Sequence, residues 1–320
     1  ANGPIRRPVD HAYVWGDALA VLKDERPEAR IVNLETSITT SDEPDPKGIN
    51  YRMHPGNVPV LTAARIDCCV LANNHVLDWR RAGLDETVET LAGAGIRSAG
   101  AGPDLRAAQA PAVLAVGAER RVLVFAFGAA DAGIPEDWSA GAARAGVHLL
   151  PDFSGRTVER VAGLVRATKR PGDVAVASVH WGGNWGYEIP AAHRRFAHGL
   201  VERAEIDVVH GHSSHHPKAI EIYRERPIFY GCGDLLNDYE GIPGNEEFRD
   251  DLALLYFVTF EVPAGALVRL ELTPLRIRNF RLNQPSASDR AWLRGRLDRE
   301  CRRFRHSVIA AGEAYAVKWG

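Results

Sequence analysis

Residues 173–181 read DVAVASVHW, and residues 207–216 read DVVHGHSSHH. Each segment is a short apolar run that leads into histidine, and an amphipathic stretch at Ala191–Ala204 separates the two. A strand, a helix and a second strand in this order are typical of a βαβ unit with a parallel sheet. Ligands of such sheets gather beyond the carboxyl ends of the strands, so the sequence places both histidine groups at one edge.

Two earlier apolar runs also end in polar side chains. The run IVNLE ends in Glu35, and CCVLANNH ends in Asn74 and His75. Carboxylate, amide oxygen and imidazole together suit Mn, Fe, Zn or a similar divalent ion. Taken singly, each residue has a structural explanation: Glu35 as a cap or surface carboxylate, the asparagines as a turn, and His180 as a packed core side chain. Four such strand ends in order are improbable by chance, so together they predict a metal site.

The order of predicted elements indicates the fold class. Helices alternate with strands in the first part of the chain, and strands follow strands later. This mixture predicts an α/β chain with two packed mixed sheets flanked by helices in one domain. The predicted strands are Arg30–Leu34, Asp67–Ala72, Gly95–Ala99, Arg121–Phe127, Asp173–Val179, Asp207–Val209, Ile220–Tyr223 and Pro227–Tyr230, followed by an antiparallel pair at Leu252–Val262 and Ala266–Pro274 with its turn at Pro263–Gly265. The predicted helices are Asn57–Arg65, Trp79–Ala94, Thr157–Thr168, Ala191–Ala204 and Ala287–Arg303, and the last residues are expected to continue as helix.

Composition excludes several classes of protein. With 39 basic and 41 acidic residues, the net charge of −2 gives none of the basic excess that a nucleic-acid partner usually needs. No apolar run approaches the roughly 20 residues of a membrane span, and ANGPIRRPVD is not a signal peptide. The 4 cysteines include a vicinal pair and no Cys-x-x-Cys, so we expect no disulfide framework and a cytoplasmic location. The oligomeric state is not predicted.

Four segments resemble the CapA-like family of bacterial capsule and poly-γ-glutamate proteins, a branch of the calcineurin-like metallophosphoesterases. They are NLETSIT, LANNHVLDW, SVHWGGNWGYEIP and HGHSSHHPKAIEIYRERPIFYGCGDLLNDYEG. The resemblance runs from about residue 14 to residue 261. It implies a four-layer αββα sandwich forming a single domain over residues 1–320, with a core at 14–261 and C-terminal strand and helices at 262–320.

The resemblance also implies roles for individual residues. Glu35 takes the place of the bridging carboxylate, and Asn74, His180, His212 and His215 are further ligands of one or two divalent ions, with Mn, Fe, Zn and Ca not distinguished. His75 is the acid or charge stabiliser beside the metal. Asp78 either orients His75 or caps the helix that starts at Trp79.

The chain departs from the superfamily pattern in two places. GHSSHH has one residue more between its histidines than Gly-His-x-His, so His215 or His216 is the final ligand, and we prefer His215 because Pro217 begins the next strand. The family's usual first strand, which ends in a metal-binding Gly-Asp, has no matching segment. Gly16-Asp17 reads as the start of a helix instead.

Further residues are candidates for the pocket. Arg52 and His54 follow Glu35 in a long polar loop, and Arg52 either binds a substrate oxygen or forms a surface salt bridge. Trp181, Asn184 and Tyr187 follow His180 and either hold a peptide or sugar or pack around a Gly-rich turn. Cys232, flanked by glycines, is either a thiolate acid/base or a small residue at a tight turn, and Asp234 in the acidic loop after it could bind a cation or ammonium group.

Three functions are compatible with these features. The first is hydrolysis of a phosphoester, or of a peptide or poly-γ-glutamate-like substrate, by metal-activated water, with His75 protonating the leaving group. The second is metal-dependent epimerisation of a peptide, in which Cys232 and a histidine act as opposed bases on a Cα proton. The third is a non-catalytic role in capsule assembly. The expected partner is therefore a small-molecule or peptide substrate.

Overall fold

The computed structural model describes residues 9–117, 119–239, 241–261 and 265–319. In these residues the helices are α1 (Ala18–Glu25), α2 (Pro59–Ala63), α3 (Arg80–Gly93), α4 (Leu105–Gln109), α5 (Gly155–Arg166), α6 (Ala191–Arg203) and α7 (Ala287–Cys301). The strands are β1 (Ile31–Asn33), β2 (Ser37–Ile38), β3 (Arg52–Met53), β4 (Cys68–Val70), β5 (Arg97–Ala99), β6 (Ala101–Gly102), β7 (Ala112–Val116), β8 (Arg120–Gly128), β9 (Gly146–Val147), β10 (Val174–His180), β11 (Val208–His212), β12 (Ile220–Tyr223), β13 (Arg226–Phe229), β14 (Leu252–Phe260), β15 (Leu267–Ile277), β16 (Leu282–Asn283), β17 (Ser307–Ala311) and β18 (Ala314–Lys318). None of these helices is both long enough and apolar enough to cross a bilayer.

The chain divides into two compact units. The larger unit contains Glu28–Gly183 and Pro190–Ser213, and the smaller unit contains Ala1–Pro27, Asn184–Ile189 and Ser214–Gly320. Whether the two fold as the single domain that we expect stays a prediction.

The larger unit is a four-layer sandwich. One sheet has the strand order β1-β4-β5, all parallel, and the other contains β11, β10 and β8 in parallel with antiparallel β7 at its edge. Their inner faces meet in a core of small side chains, in which Ala72 and Ala99 pack against Val124 and Ala126. Helix α3 contacts β5 on one side, and α5 and α6 pack together with α6 against β11 on the other. This confirms the predicted mixed α/β sandwich.

The smaller unit is built mainly from antiparallel strands. Its sheet has the order β14-β15-β18-β17, with β16 beside β15, and β12 and β13 form a hairpin. Helix α7 contacts β17 and β12. At the start of α1 the carboxylate of Asp17 accepts a hydrogen bond from the backbone N–H of Gln284 at 2.7 Å, so Asp17 anchors this helix to the strand region after β16. The predicted turn at Pro263–Gly265 falls largely on residues outside those described.

The predicted C-terminal helix is wrong. Residues after α7 form the antiparallel hairpin of β17 and β18, with Gly312 at its turn in a left-handed conformation, φ +64°. Strand β18 also pairs with β15 through Leu272 and Tyr315. Val308, Tyr315 and Val317 are buried. Their alternation with exposed residues has the period of a half-buried strand, which outweighs the helix propensity of the alanines.

The close approach of the two sheets in the larger unit can be tested at Gly100. A Cβ there would lie 2.7 Å from the Cβ atoms of both Ala72 and Ala126, and the φ of +90° disfavours any side chain. We expect Gly100→Ala to lower the free energy of unfolding by about 1–3 kcal/mol from overpacking alone, measured by denaturant titration.

Gly163 in α5 is the matched control, because a Cβ at that exposed helical position meets no atom within 4 Å. We expect Gly163→Ala to raise stability by about 0.5–1 kcal/mol, since it removes conformational freedom from the unfolded chain. Equal effects of the two substitutions would contradict the close sheet packing.

Candidate functional site

The register of three parallel strands in the larger unit aligns polar side chains on one face. Ser178 of β10 pairs with Ala126 of β8 and with His210 of β11, and His180 pairs with Gly128 and His212. Paired residues of parallel strands point to the same face of a sheet, and Ala126 packs against the facing sheet. Ser178, His180, His210 and His212 therefore lie between the two sheets, toward the carboxyl ends of the strands.

Glu35, Asn74 and His180 come together at this edge. The Nε2 of His180 lies 3.1 Å from Oδ1 of Asn74 and 3.9 Å from Oε1 of Glu35. The other oxygen of Glu35, Oε2, accepts a hydrogen bond from the side-chain amide of Asn33 at 2.7 Å. The side chain of the buried Asn73 in turn donates to Oδ1 of Asn33 and to the carbonyl of Leu34, which joins the segment after β4 to the end of β1.

These three donors fit part of a metal coordination shell. Ligands about 2.1 Å from one ion and roughly 90–110° apart are separated by about 3.0–3.4 Å. The 3.1 Å between Nε2 of His180 and Oδ1 of Asn74 falls in this range, and the 3.9 Å from Nε2 to Oε1 of Glu35 is longer. His212 does not contact Nε2 of His180, the nitrogen that faces Asn74 and Glu35. Its Nδ1 lies 2.8 Å from the other ring nitrogen of His180, Nδ1, which is the length of a hydrogen bond. No cluster of three or more His, Cys, Asp or Glu side chains suited to a metal ion occurs in the described ranges. Asn74 supplies the third donor here, and metal binding stays a prediction.

His75 and Asp78 form a hydrogen-bonded pair in the larger unit. The Nδ1 of His75 lies 2.7 Å from Oδ2 of the fully buried Asp78. Asp78 does not cap α3, whose N-cap residue Trp79 makes no side-chain cap bond. The contact fixes the ring of His75 and keeps Nε2 as the nitrogen that exchanges a proton.

Lys47 supplies the positive charge beside this pair. Its ammonium donates to Oδ1 of Asp78 at 2.6 Å and to the backbone carbonyl of Asn74 at 2.5 Å. The backbone N–H of Tyr51 also donates to Asp78, and the ring of Tyr51 lies 4.2 Å from that of His75. The polar loop between β2 and β3 is thus wrapped around the His75–Asp78 pair.

Burial holds His210 and His212 in the neutral form. Burial lowers the pKa of His210 to about 4. Burial also lowers the pKa of His212 well below its usual value, and the neighbouring His180 and His210 add to the effect. Neutral imidazole is the form that binds a metal ion or accepts a proton.

Three predicted substrate contacts in the larger unit are engaged elsewhere. Arg52 bonds Ser41 and the exposed Asp42 and stacks over Trp79, so it forms a surface salt bridge. His54 is exposed and accepts a hydrogen bond from the N–H of Gly56. Trp181 is buried and stacks on His193 at 5.0 Å between ring centres, which matches its packing interpretation. Their substrate roles stay predictions.

In the smaller unit, His215 is oriented by a carboxylate. Its Nδ1 lies 3.0 Å from Oδ1 of Asp234, whose Oδ2 accepts hydrogen bonds from Tyr239 and Asn237. The backbone N–H of His215 donates to the carbonyl of Asn184. A histidine whose Nδ1 faces a carboxylate presents Nε2 as its ligand nitrogen. Asp234 therefore orients the ring of His215 in this structure. That His215 is a metal ligand stays a prediction.

His216 and Tyr187 belong to an aromatic cluster in the smaller unit. The fully buried ring of His216 lies against Trp185, Tyr187 and Phe248, and burial lowers its pKa to about 4. Burial also raises the pKa of Tyr187 to about 12, and the guanidinium of Arg296 stacks over its ring. This packing of His216 is in keeping with the preference for His215 as the final ligand.

Cys232 has a protonated thiol. It is not in a disulfide, its backbone carbonyl accepts a hydrogen bond from Tyr256, and burial raises the pKa of the thiol well above its usual range. Thiolate bases have lowered pKa values, so the environment of Cys232 favours the alternative of a small residue at a turn.

Sequence reasoning missed several residues of this site. Lys47 lies in a polar loop with no motif around it, and Ser178, Asn33 and Asn73 act through side chains that are common inside strands and turns. Asn33, Asn73 and Ser178 did carry a sequence signal, because each lies in a quoted motif within two residues of a predicted ligand.

Comparison with known proteins identifies relatives over most of the chain. The model of a family described as "Bacterial capsule synthesis protein PGA_cap" matches residues 2–239. A "Probable polyglutamine synthesis accessory protein" of Mycobacterium tuberculosis is 51% identical over 310 residues, which is 96% of this chain and 81% of that protein. The "PGA biosynthesis protein CapA" of Bacillus subtilis is 24% identical over 231 residues, 72% of this chain and 56% of that protein.

The role of Lys47 can be tested by removing its charge. Lys47→Met leaves the buried carboxylate of Asp78 without its cation, and breaking such a pair costs about 3–5 kcal/mol. We expect the lower end, about 3 kcal/mol, in the free energy of unfolding by denaturant titration, because the side chain of Lys47 is 25% exposed.

Arg52→Met is the matched control, since its partner Asp42 is 91% exposed and the pair is worth at most about 1 kcal/mol. Adding Asp78→Asn to Lys47→Met should recover part of the loss, because the uncompensated charge is then gone. A loss for Lys47→Met no larger than that of the control would show that Asp78 does not depend on Lys47.

Proposed function

The chain belongs to the bacterial capsule synthesis protein family, PGA_cap, and on that premise we propose that it is a divalent-metal-dependent hydrolase. Its proposed substrate is a phosphoester or a peptide of the poly-γ-glutamate type. The convergence of Glu35, Asn74 and His180, with the His75–Asp78 pair next to Asn74 in the chain, supports this proposal.

Each residue has a proposed task. Glu35, Asn74 and His180 would hold the metal ion, with His212 and His215 as the further ligands that the family pattern implies. When bound, such an ion supplies Lewis-acid chemistry, which activates water and polarises the group to be cleaved. Asn33 orients the carboxylate of Glu35, and Asp234 orients the ring of His215.

His75 is the proposed general acid. Its Nδ1–H bond to Asp78 directs Nε2 to give a proton to the leaving oxygen or nitrogen. Asp78 also stabilises the imidazolium from which that proton comes, and the ammonium of Lys47 forms an ion pair with Asp78. The same arrangement serves phosphoester and amide cleavage, because an alkoxide or amine leaving group of high pKa departs more readily when it is protonated.

Hydrolysis is preferred to epimerisation because of Cys232. A two-base epimerase needs a second base opposite a histidine, and a thiol with a raised pKa is a poor one at neutral pH. If the protein binds no metal, a non-catalytic role in capsule assembly is favoured instead.

Metal content is the first test. We expect protein purified without a His tag to contain at least one equivalent of Mn, Fe, Zn or Ca by elemental analysis. His180→Ala and His215→Ala should each lower that content. The loss of a group that orients a ligand already weakens metal affinity 10-fold or more, and the loss of a ligand should weaken it at least as much.

His11→Ala is the control for histidine loss, because His11 is exposed and outside the proposed site. Parent protein that stays empty after refilling with each of the four ions would overturn the metal-dependent function.

The acid role of His75 is tested separately. We expect His75→Asn to lower kcat about 10²–10⁴-fold for the phosphoester or peptide that the parent cleaves, because the leaving group loses its proton donor. Metal content should be unchanged, since His75 is not a proposed ligand.

Leaving-group dependence makes this test specific. The loss should be largest for leaving groups of high pKa and small for nitrophenolate, which departs without a proton. A uniform loss across leaving groups would exclude His75 as the acid.

A further inference from the structure

Four hydrogen bonds form a continuous chain between the sheets of the larger unit. Nδ1 of His210 lies 3.0 Å from Oγ of Ser178, which lies 2.9 Å from Nε2 of His212. Nδ1 of His212 lies 2.8 Å from Nδ1 of His180, and Nε2 of His180 lies 3.1 Å from Oδ1 of Asn74. Every ring nitrogen from Nδ1 of His210 to Nε2 of His180 is thus engaged in the chain.

The chain follows from strand register. Ser178 and His180 are two residues apart on β10, and His210 and His212 are their partners on β11. All four side chains therefore occupy one face. Ser178 and His210 lie two residues further from the carboxyl ends of their strands than His180 and His212.

The end of the chain at Asn74 fixes the direction of every bond. The carbonyl oxygen of Asn74 only accepts, so Nε2 of His180 carries a proton. With neutral rings, Nδ1 of His180 then accepts from Nδ1–H of His212, and Nε2 of His212 accepts from the hydroxyl of Ser178. The oxygen of Ser178 accepts in turn from Nδ1–H of His210.

We propose that Ser178 and His210 are positioning residues that carry the direction set at Asn74 beyond His212 and allow the chain to reverse. Ser178 is the pivot, because a hydroxyl can rotate and donate to either neighbour while accepting from the other. His210 supplies the donor that holds this hydroxyl toward His212. Neither residue is among the predicted ligands, and both act through His212.

The inference deepens the proposed metal site and rests on it for one consequence. If His180 is to bind a metal through Nε2, that nitrogen must give up its proton. The chain can reverse: His180 then donates from Nδ1, His212 carries Nε2–H, Ser178 donates to Nδ1 of His210, and His210 carries Nε2–H.

The proton count stays the same through this reversal. Three rings and one hydroxyl hold four protons before and after, and no ring becomes charged. Nε2 of His180 releases its proton to solvent as the metal enters, the protons within the chain each move one step, and Nε2 of His210 takes up a proton from water. His210 is partly exposed, so its exchange from Nδ1–H to Nε2–H can run through water.

Imidazole ¹⁵N NMR of the full chain after chelator treatment tests the assignment directly. We expect Nδ1–H for His210 and His212 and Nε2–H for His180, with signals assigned by single His→Gln substitutions. In Ser178→Ala, His210 should become a mixture of tautomers, because its Nδ1–H loses its acceptor, whereas His212 stays Nδ1–H through its bond to His180. A doubly protonated His180, or Nε2–H on His212 in the chelated parent, would overturn the proposal.

Thr157→Val is the matched control, because Thr157 is a buried residue whose hydroxyl bonds Asp152 in the same unit. Its spectrum should keep the parent tautomers. If Ser178→Ala also keeps them, Ser178 does not link His210 to His212 and the proposal fails.

Zinc titration tests the consequence with a second readout. Zn²⁺ should convert His210 to Nε2–H in the parent but not in Ser178→Ala. His210→Leu should weaken Zn²⁺ binding about 10-fold, as other second-layer contacts do, whereas His210→Gln, which can donate and accept, should stay within about 3-fold.

Equal Zn²⁺ affinity of His210→Leu and the parent would overturn the positioning role of His210. A parent that binds no Zn²⁺ would overturn the proposed metal site instead, and the tautomers of the chelated protein would still decide whether the chain has the proposed direction.

Discussion

The parallel register of β8, β10 and β11 is the constraint on which the candidate site depends. It places Ser178, His180, His210 and His212 on the face that meets the other sheet. A slip by one residue would turn all the side chains of a strand to the opposite face. That face carries Phe125 and Phe127 on β8 and is buried too, so a slip would exchange large apolar groups for polar ones on both sides. Burial on both faces therefore fixes the register strongly.

Small side chains between the sheets also help to form the candidate site. Alanine, cysteine and valine line most of the contact, and Gly100 has no room for a Cβ. The sheets can therefore approach closely, and the loops after β1 and β4 reach the end of β10. Glu35 and Asn74 stand beside His180 for this reason, although 39 residues of sequence separate Asn74 from Glu35 and 106 separate it from His180. Asn73 completes the arrangement by bonding the end of β1 directly.

The site contains two kinds of buried polar group, and each is satisfied differently. Burial lowers the pKa of His210 and His212 on β11, so both rings are neutral, and both bond Ser178, which avoids the cost of burying charge. Asp78 is fully buried beside the ammonium of Lys47, with the ring of His75 and the N–H of Tyr51 as further donors. The proposed hydrolase would use the hydrogen-bonded chain through Ser178 to orient the histidines that hold its metal. It would use His75, fixed by Asp78 and Lys47, to move a proton.

The sequence by itself determined the α/β class, most helix and strand positions and the strand-end residues Glu35, Asn74, His75, His180 and His212, because apolar runs that end in polar groups are local features. Only the tertiary structure decided which groups those residues contact. Lys47 meets Asp78 across 31 residues through the path of a polar loop, and Ser178 meets His210 across 32 through strand pairing. The C-terminal hairpin was likewise decided by pairing with β15 rather than by the propensities of its alanines. Contacts between residues distant in sequence depend on register and loop path, which no local pattern encodes.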